Sequence, residues 1–175
     1  TNIRWGIWWT RKIRRIINMK IKIKKLHPDA VIPKYAKLGD AGMDLYAVDI
    51  KIHVDSLTDE NTKIIVDSGL AFEIPEGFVG LVFPRSSIQS TGVRLTNCVG
   101  VIDSGYRGPV KAVFDIKDSS LIYYNKGDRF AQIMIIPYPQ IEFEEAEELS
   151  ETERSEGGFG STGKWWIVKF VEKRV

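Results

Sequence analysis

The stretch KIIVDSGLAFEIPEGFVGLVF, Lys63–Phe83, decides the fold. It holds three short runs, Lys63–Val66, Leu70–Ile74 and Val79–Phe83, rich in β-branched and aromatic residues and too short for ordinary helices. Between them stand Asp67-Ser68-Gly69 and Pro75-Glu76-Gly77, whose glycine, proline and aspartate favour tight reversals. Strand, turn, strand is the reading.

The same cadence extends outward in both directions. Lys20–Lys24 alternates polar and apolar residues with period two, and Ile50–Val54, Val110–Ile116 and Phe130–Ile136 are further strand candidates. Gly39-Asp40, Asp103-Ser104-Gly105 and Lys126-Gly127-Asp128 punctuate them. No helical pattern recurs between the strands, so an all-β sandwich or jelly roll is expected rather than a βαβ sheet. A single short helix is expected near Ser87–Thr91.

With 175 residues, 43% hydrophobic and 27% charged, the chain suits one β domain plus terminal extensions, and wholesale disorder is excluded. No apolar run is long enough for a membrane-spanning helix. One cysteine, Cys98, excludes a disulfide framework and a thiolate zinc cluster. Two histidines, His27 and His53, read as surface or loop residues and leave a Ser-His-Asp hydrolase without support. Chemistry must therefore come from carboxylates, hydroxyls, arginines and backbone amides.

The formal charge of +2 conceals an asymmetry. Residues 1–25 carry nine Lys/Arg and no acid, whereas the rest carries 16 basic against 23 acidic residues, a net of −7. A mildly acidic body argues against stable nucleic-acid binding by the domain. The basic, Trp-rich segment 1–18 reads as an upstream extension, with contact to an anionic membrane as the alternative. Residues 19–148 form the expected β domain. The run Glu142–Glu156 holds eight acids and leads into Gly157-Gly158-Phe159-Gly160-Ser161-Thr162-Gly163. Residues 149–163 therefore read as a flexible acidic tether ending in a mobile lid, and 164–175 as a C-terminal extension.

Three segments carry chemistry. Pro84-Arg85-Ser86-Ser87 lies where a strand gives way to a short helix, so its serines can cap the helix and its amides and Arg85 can bind phosphate. Asn97–Asp103 reads as a hairpin with an amide at one end and a carboxylate at the other, able to bond a nucleobase edge. Asp103, expected to be partly buried against an aromatic ring, can accept a proton from water; a turn aspartate bonding its neighbours is the bland alternative. Arg129 and Gln132 are expected on opposite faces of a strand. Cys98 is expected to be a small buried residue.

Five ordered segments together resemble the motifs of the trimeric dUTPases. They are Ala41-Gly42-Met43-Asp44-Leu45, Pro84-Arg85-Ser86-Ser87, Gly100–Gly108, Gly127–Gln132 and Arg154–Gly163. The resemblance implies a distorted β-barrel of jelly-roll type and a homotrimer with shared active sites. It also implies Mg²⁺-dependent hydrolysis of dUTP to dUMP and pyrophosphate. By position, Asp103 looks like the general base, and Asn97, Val101 and Lys111 like the uracil readers. Tyr106 would pack beneath the deoxyribose. Arg85, Ser86, Ser87 and Gln132 resemble phosphate contacts, and Asp44 the acid that meets the metal through water. Phe159 would stack on uracil, while Arg154, Gly160, Ser161 and Thr162 would close over the γ-phosphate. A cytoplasmic location is expected, in the host if the source is viral. Ser155 stands where the family usually has glycine, and Pro109 where it more often has an acid. A dCTP deaminase-like or bifunctional enzyme is the nearest alternative, but its glutamate base is missing from Val110–Ile116, where Asp115 is a weak substitute. A non-catalytic nucleotide-binding module is the other.

Overall fold

A computed structural model describes residues 19–53, 62–117 and 124–157. The expectations placed on residues 1–18 and 158–175 lie outside them. Ten strands occur among the described residues: β1 (Lys22–Lys25), β2 (Met43–Tyr46), β3 (Asp49–His53), β4 (Lys63–Asp67), β5 (Leu70–Glu73), β6 (Phe78–Pro84), β7 (Val93–Leu95), β8 (Gly100–Ile102), β9 (Lys111–Ile116) and β10 (Arg129–Pro137). The helix expected near Ser87–Thr91 is a single stretch of 3-10 helix, Ser86–Ser90.

Two four-stranded sheets, in the orders β2-β10-β6-β8 and β3-β4-β9-β7, are accompanied by a β1-β5 ribbon. Each sequenced neighbour pairs antiparallel. The core follows from period-two alternation. Ile64 and Val66 on β4, and Ala112 and Phe114 on β9, turn inward while their neighbours do not. Phe114 of one sheet and Phe130 of the other are fully buried, and each ring packs on Tyr124, with centroids 5.1 and 6.4 Å away.

The Asp67-Ser68-Gly69 reversal is dictated by its glycine. Gly69 has φ +63°, and an added Cβ would lie 2.8 Å from both His27 Cβ and Val48 Cγ2. Ser68 beside it is fully buried, and its hydroxyl donates to Val110 O at 2.7 Å. Val110, one residue before β9, is thereby tied to the β4–β5 turn.

Sequence adjacency misleads in one place. β7 and β8 are not the two arms of a hairpin: β7 pairs with β9 in one sheet, β8 with β6 in the other. The chain crosses between sheets through a tight turn in which Val99 N donates to Asn97 O at 2.6 Å around Cys98, φ +61°. Cys98 is exposed at this corner, not buried.

The chain divides after Gln140 into two compact units. In the second, residues 141–157 are irregular and largely exposed.

Candidate functional site

Several of the residues expected to contact phosphate gather around Asp44. β10 runs between β2 and β6, and its Gln132 faces Asp44 on one side and Phe83 on the other. Arg85 immediately follows β6. Consequently the Asp44 carboxylate accepts hydrogen bonds from Arg85 Nε at 2.9 Å, Gln132 Nε2 at 3.1 Å and Arg129 Nη1 at 3.2 Å. The side chain of Asp44 is only 14% exposed, so these charge-assisted bonds work with reduced solvent screening.

The expectation that Arg129 and Gln132 point to opposite faces fails, for a physical reason. The register between β10 and β2 shifts between Arg129 and Ala131, a β-bulge. Phe130 and Ala131 are both buried, so the alternation slips by one and both polar side chains reach Asp44. Arg129, absent from the sequence-based site, thus belongs to it. The sequence carried no distinctive signal for the bulge, because Ile133–Ile136 of the same strand are all apolar and the Phe130-Ala131 pair does not stand out.

The serines do not cap the 3-10 helix. Arg85 occupies the N-cap position in extended conformation, with no side-chain cap bond. Ser86 and Ser87 are exposed, and Ser87 Oγ accepts from Arg85 Nη1 at 3.4 Å. The Ser87 hydroxyl thus stands beside a cation rather than completing a helix.

A second set of predicted residues gathers on β8 and the turn after it. Val101, Asp103, Tyr106 and Lys111, with Ile102 and Pro109, line a cleft of about 210 Å³. Asn97, Gly100 and Lys111 line another of about 230 Å³. Lys111 belongs to both, and its ammonium pairs with Asp67 Oδ2 at 3.1 Å. Because β8 ends its sheet, one side of its backbone carries no strand partner among the described residues and can meet a ligand edge. Asp103 is exposed rather than partly buried; its carbonyl accepts from Tyr106 N at 3.1 Å, and among the described residues no hydrogen bond engages its carboxylate.

The two sets remain apart within one chain. Asp44 and β8 belong to opposite edges of the sheet, three strand spacings or about 14 Å across. Asp103 follows Ile102, which faces Gly80, whereas Arg85 lies five residues beyond Gly80. That offset is roughly 17 Å of extended strand. Each set is half a site.

Arg154 lies in the second unit, where its Nε donates to Gly157 O at 3.0 Å. Ser155 in the same turn has φ +42°, a conformation that favours glycine, and its N–H bonds Thr152 O and Oγ1. Phe159, Gly160, Ser161 and Thr162 lie outside the described residues.

Asp115 is occupied elsewhere. Its carboxylate accepts from Thr96 Oγ1 at 3.0 Å and Arg94 Nη2 at 3.3 Å, and it lines neither cleft. Burial pushes its pKa up, but these bonds and the charges of Lys117 and Lys63 outweigh it, leaving the carboxyl below its usual range. A deaminase base needs a freer carboxylate.

Residues 28–163 match the family model for dUTPase. The deoxyuridine 5′-triphosphate nucleotidohydrolase of Helicobacter hepaticus is 43% identical over 147 residues, covering 83% of this chain and 90% of that protein. Among solved structures, the Staphylococcus bacteriophage 80alpha dUTPase with dUPNHPP superposes with a TM-score of 0.71 at 27% identity, covering 84% of this chain and all of that one. A dUTPase variant from phage phi11 of S. aureus, described with a structural Mg(II) ion, shares the fold with a TM-score of 0.62 at 23% identity, over 74% of this chain and 98% of its own.

Proposed function

The chain belongs to the dUTPase family, and from that premise we propose that it hydrolyses dUTP to dUMP and pyrophosphate, with Asp103 as the general base. The observation that carries this reading is the exposed Asp103 carboxylate in a cleft with Val101, Tyr106 and Lys111, adjoining the Asn97 cleft. Asn97 and the free backbone edge of β8 bond uracil, Tyr106 meets the deoxyribose, and Asp103 withdraws a proton from the water that attacks the α-phosphorus. The P–O bond to the β-phosphate breaks and pyrophosphate leaves.

Near Asp103 the cations of its own protomer are already engaged, Lys111 by Asp67 and Arg107 by the carbonyls of Ser104 and Tyr106, so the phosphate chain needs others. A second copy supplies them: Arg85, Ser86, Ser87, Arg129 and Gln132 of one subunit grip the triphosphate whose base sits in another. This division supports a homotrimer with shared sites. Arg154, Phe159, Gly160, Ser161 and Thr162 serve as the closing lid, and exclude water as they arrive.

Mg²⁺ fits the donor set. Among the described residues no three His, Cys, Asp or Glu side chains gather to cage an ion. The Asp44 carboxylate already accepts three hydrogen bonds, so it suits an ion carried on the triphosphate and touched through water. When bound, Mg²⁺ neutralises phosphate charge and aligns phosphate oxygens. Such an enzyme limits uracil in DNA, supplies dUMP for dTMP synthesis, and works where nucleotides are made, in the cytoplasm.

Pyrophosphate release compared across dUTP, dTTP, UTP and dCTP with Mg²⁺ tests the proposal. Preference for dUTP is expected. Ammonia release from dCTP, or binding of dUTP without turnover, would replace it with another reading.

A further inference from the structure

The turn Tyr106–Pro109 holds more than the residue that faces the sugar. Tyr106 Oη donates to Pro109 O at 3.1 Å, so the ring is folded back across its own turn. Gly108 lies directly beneath it: an added Cβ would stand 2.6 Å from Tyr106 Cζ and closer still to the phenol oxygen. No side chain fits there unless the ring moves.

The far end of the turn is anchored in the core. Val110 is 1% exposed; its N–H donates to Leu70 O at 2.8 Å, and its carbonyl accepts from both Ser68 N and Ser68 Oγ. Pro109, preceding it, fixes its own φ and restricts Gly108 to extended conformations. The carbonyl that receives the Tyr106 hydroxyl is therefore held by the proline ring on one side and the buried, hydrogen-bonded Val110 on the other.

We infer that Gly108 and Pro109 are specificity-determining positioning residues: they set the plane of Tyr106, and through it the rejection of a 2′-hydroxyl. This deepens the proposed dUTP hydrolysis and rests on it. A wall rejects an extra oxygen only if it cannot retreat, and a half-exposed tyrosine on a turn retreats unless both its tip and its face are blocked. Here the Pro109 carbonyl holds the tip and the Gly108 backbone, by lacking a Cβ, lets the ring lie flat. Neither residue touches the reacting atoms.

The test measures kcat and KM for dUTP and UTP in the full-length protein. Gly108→Ala should lower the dUTP:UTP ratio of kcat/KM about tenfold or more, mainly through improved use of UTP rather than loss of kcat on dUTP. Tyr106→Ala should lower it at least as far. Adding Gly108→Ala to Tyr106→Ala should change the ratio no further, because the glycine acts only through the ring. Tyr106→Phe, which loses the Pro109 bond without adding bulk, should relax the ratio by roughly threefold. An unchanged ratio in folded Gly108→Ala, or a full further loss in the double variant, overturns the inference while dUTP hydrolysis stands. If Gly108→Ala does not fold, an unchanged ratio in Tyr106→Phe overturns it instead. A wild-type protein that releases no pyrophosphate from dUTP sinks the underlying function and this inference with it.

Discussion

The Asp44 cluster and the Asp103 cleft occupy opposite edges of one sheet, yet different forces hold them. Around Asp44 two arginines and a glutamine converge on one nearly buried carboxylate. Around Asp103 the side chains are exposed, and the turn is shaped by backbone bonds, a proline and a glycine with no room for a methyl. The first half is pre-organised by charge and the second by chain geometry. A group that must bind a highly charged triphosphate benefits from cations already oriented, while a group that must take a proton benefits from a carboxylate not already bonded.

Asp103→Asn breaks this comparison where the effect is largest. Turnover of dUTP should fall about 10²–10⁴-fold, while the melting temperature stays unchanged because the carboxylate supports nothing else. A comparable loss of stability would show that Asp103 is structural.

Asp44→Asn should do both kinds of damage. Arg85 and Arg129 lose the charge between them, so kcat/KM should drop and unfolding should become easier by about 1–3 kcal/mol. Measured together by steady-state kinetics and denaturant unfolding, the two effects should travel as a pair. Loss of activity alone would make Asp44 a ligand contact rather than an organiser.

Asp115 sharpens the contrast as a control, bonded like Asp44 but lining neither cleft, although its partner Thr96 lines the one that holds Asn97. Its folded pKa is lowered from 3.8, so its stabilisation is present above that value and fades as pH falls through the lower folded one. Asp115→Asn should therefore flatten the acid limb of a stability–pH curve below about pH 5 by a small amount and leave dUTP turnover near wild type. An acid limb identical to wild type would contradict the assigned bonds.

The β-rich middle of the molecule was legible because Lys63–Phe83 and its neighbours bury alternate residues, and that periodicity is written in side-chain type. β2, β7 and β8 were not, since three or four residues with polar or glycine members give no period. The crossing at Cys98 was hidden for another reason. Chain neighbours usually pair, and nothing in Asn97-Cys98-Val99 announces a left-handed residue. Likewise the bulge that brings Arg129 to Asp44 depends on pairing with β2, a partner more than eighty residues away. Asp44, Arg85, Gln132, Asp103 and Tyr106 were nameable from ordered motifs, and Asn97 from its place just before one of them. That they fall into two separated groups needed the sheet order.

That separation is the central claim, and mixing inactive subunits tests it most directly. Asp103→Asn and Arg85→Ala chains, each inactive alone, would be unfolded and reassembled together in equal amounts. If each site takes its base from one protomer and its phosphate grip from the next, random trimers should recover about a quarter of wild-type turnover. No recovery in properly assembled mixtures would mean that both groups must come from a single chain, and the division of labour described for the two edges of the sheet would be wrong.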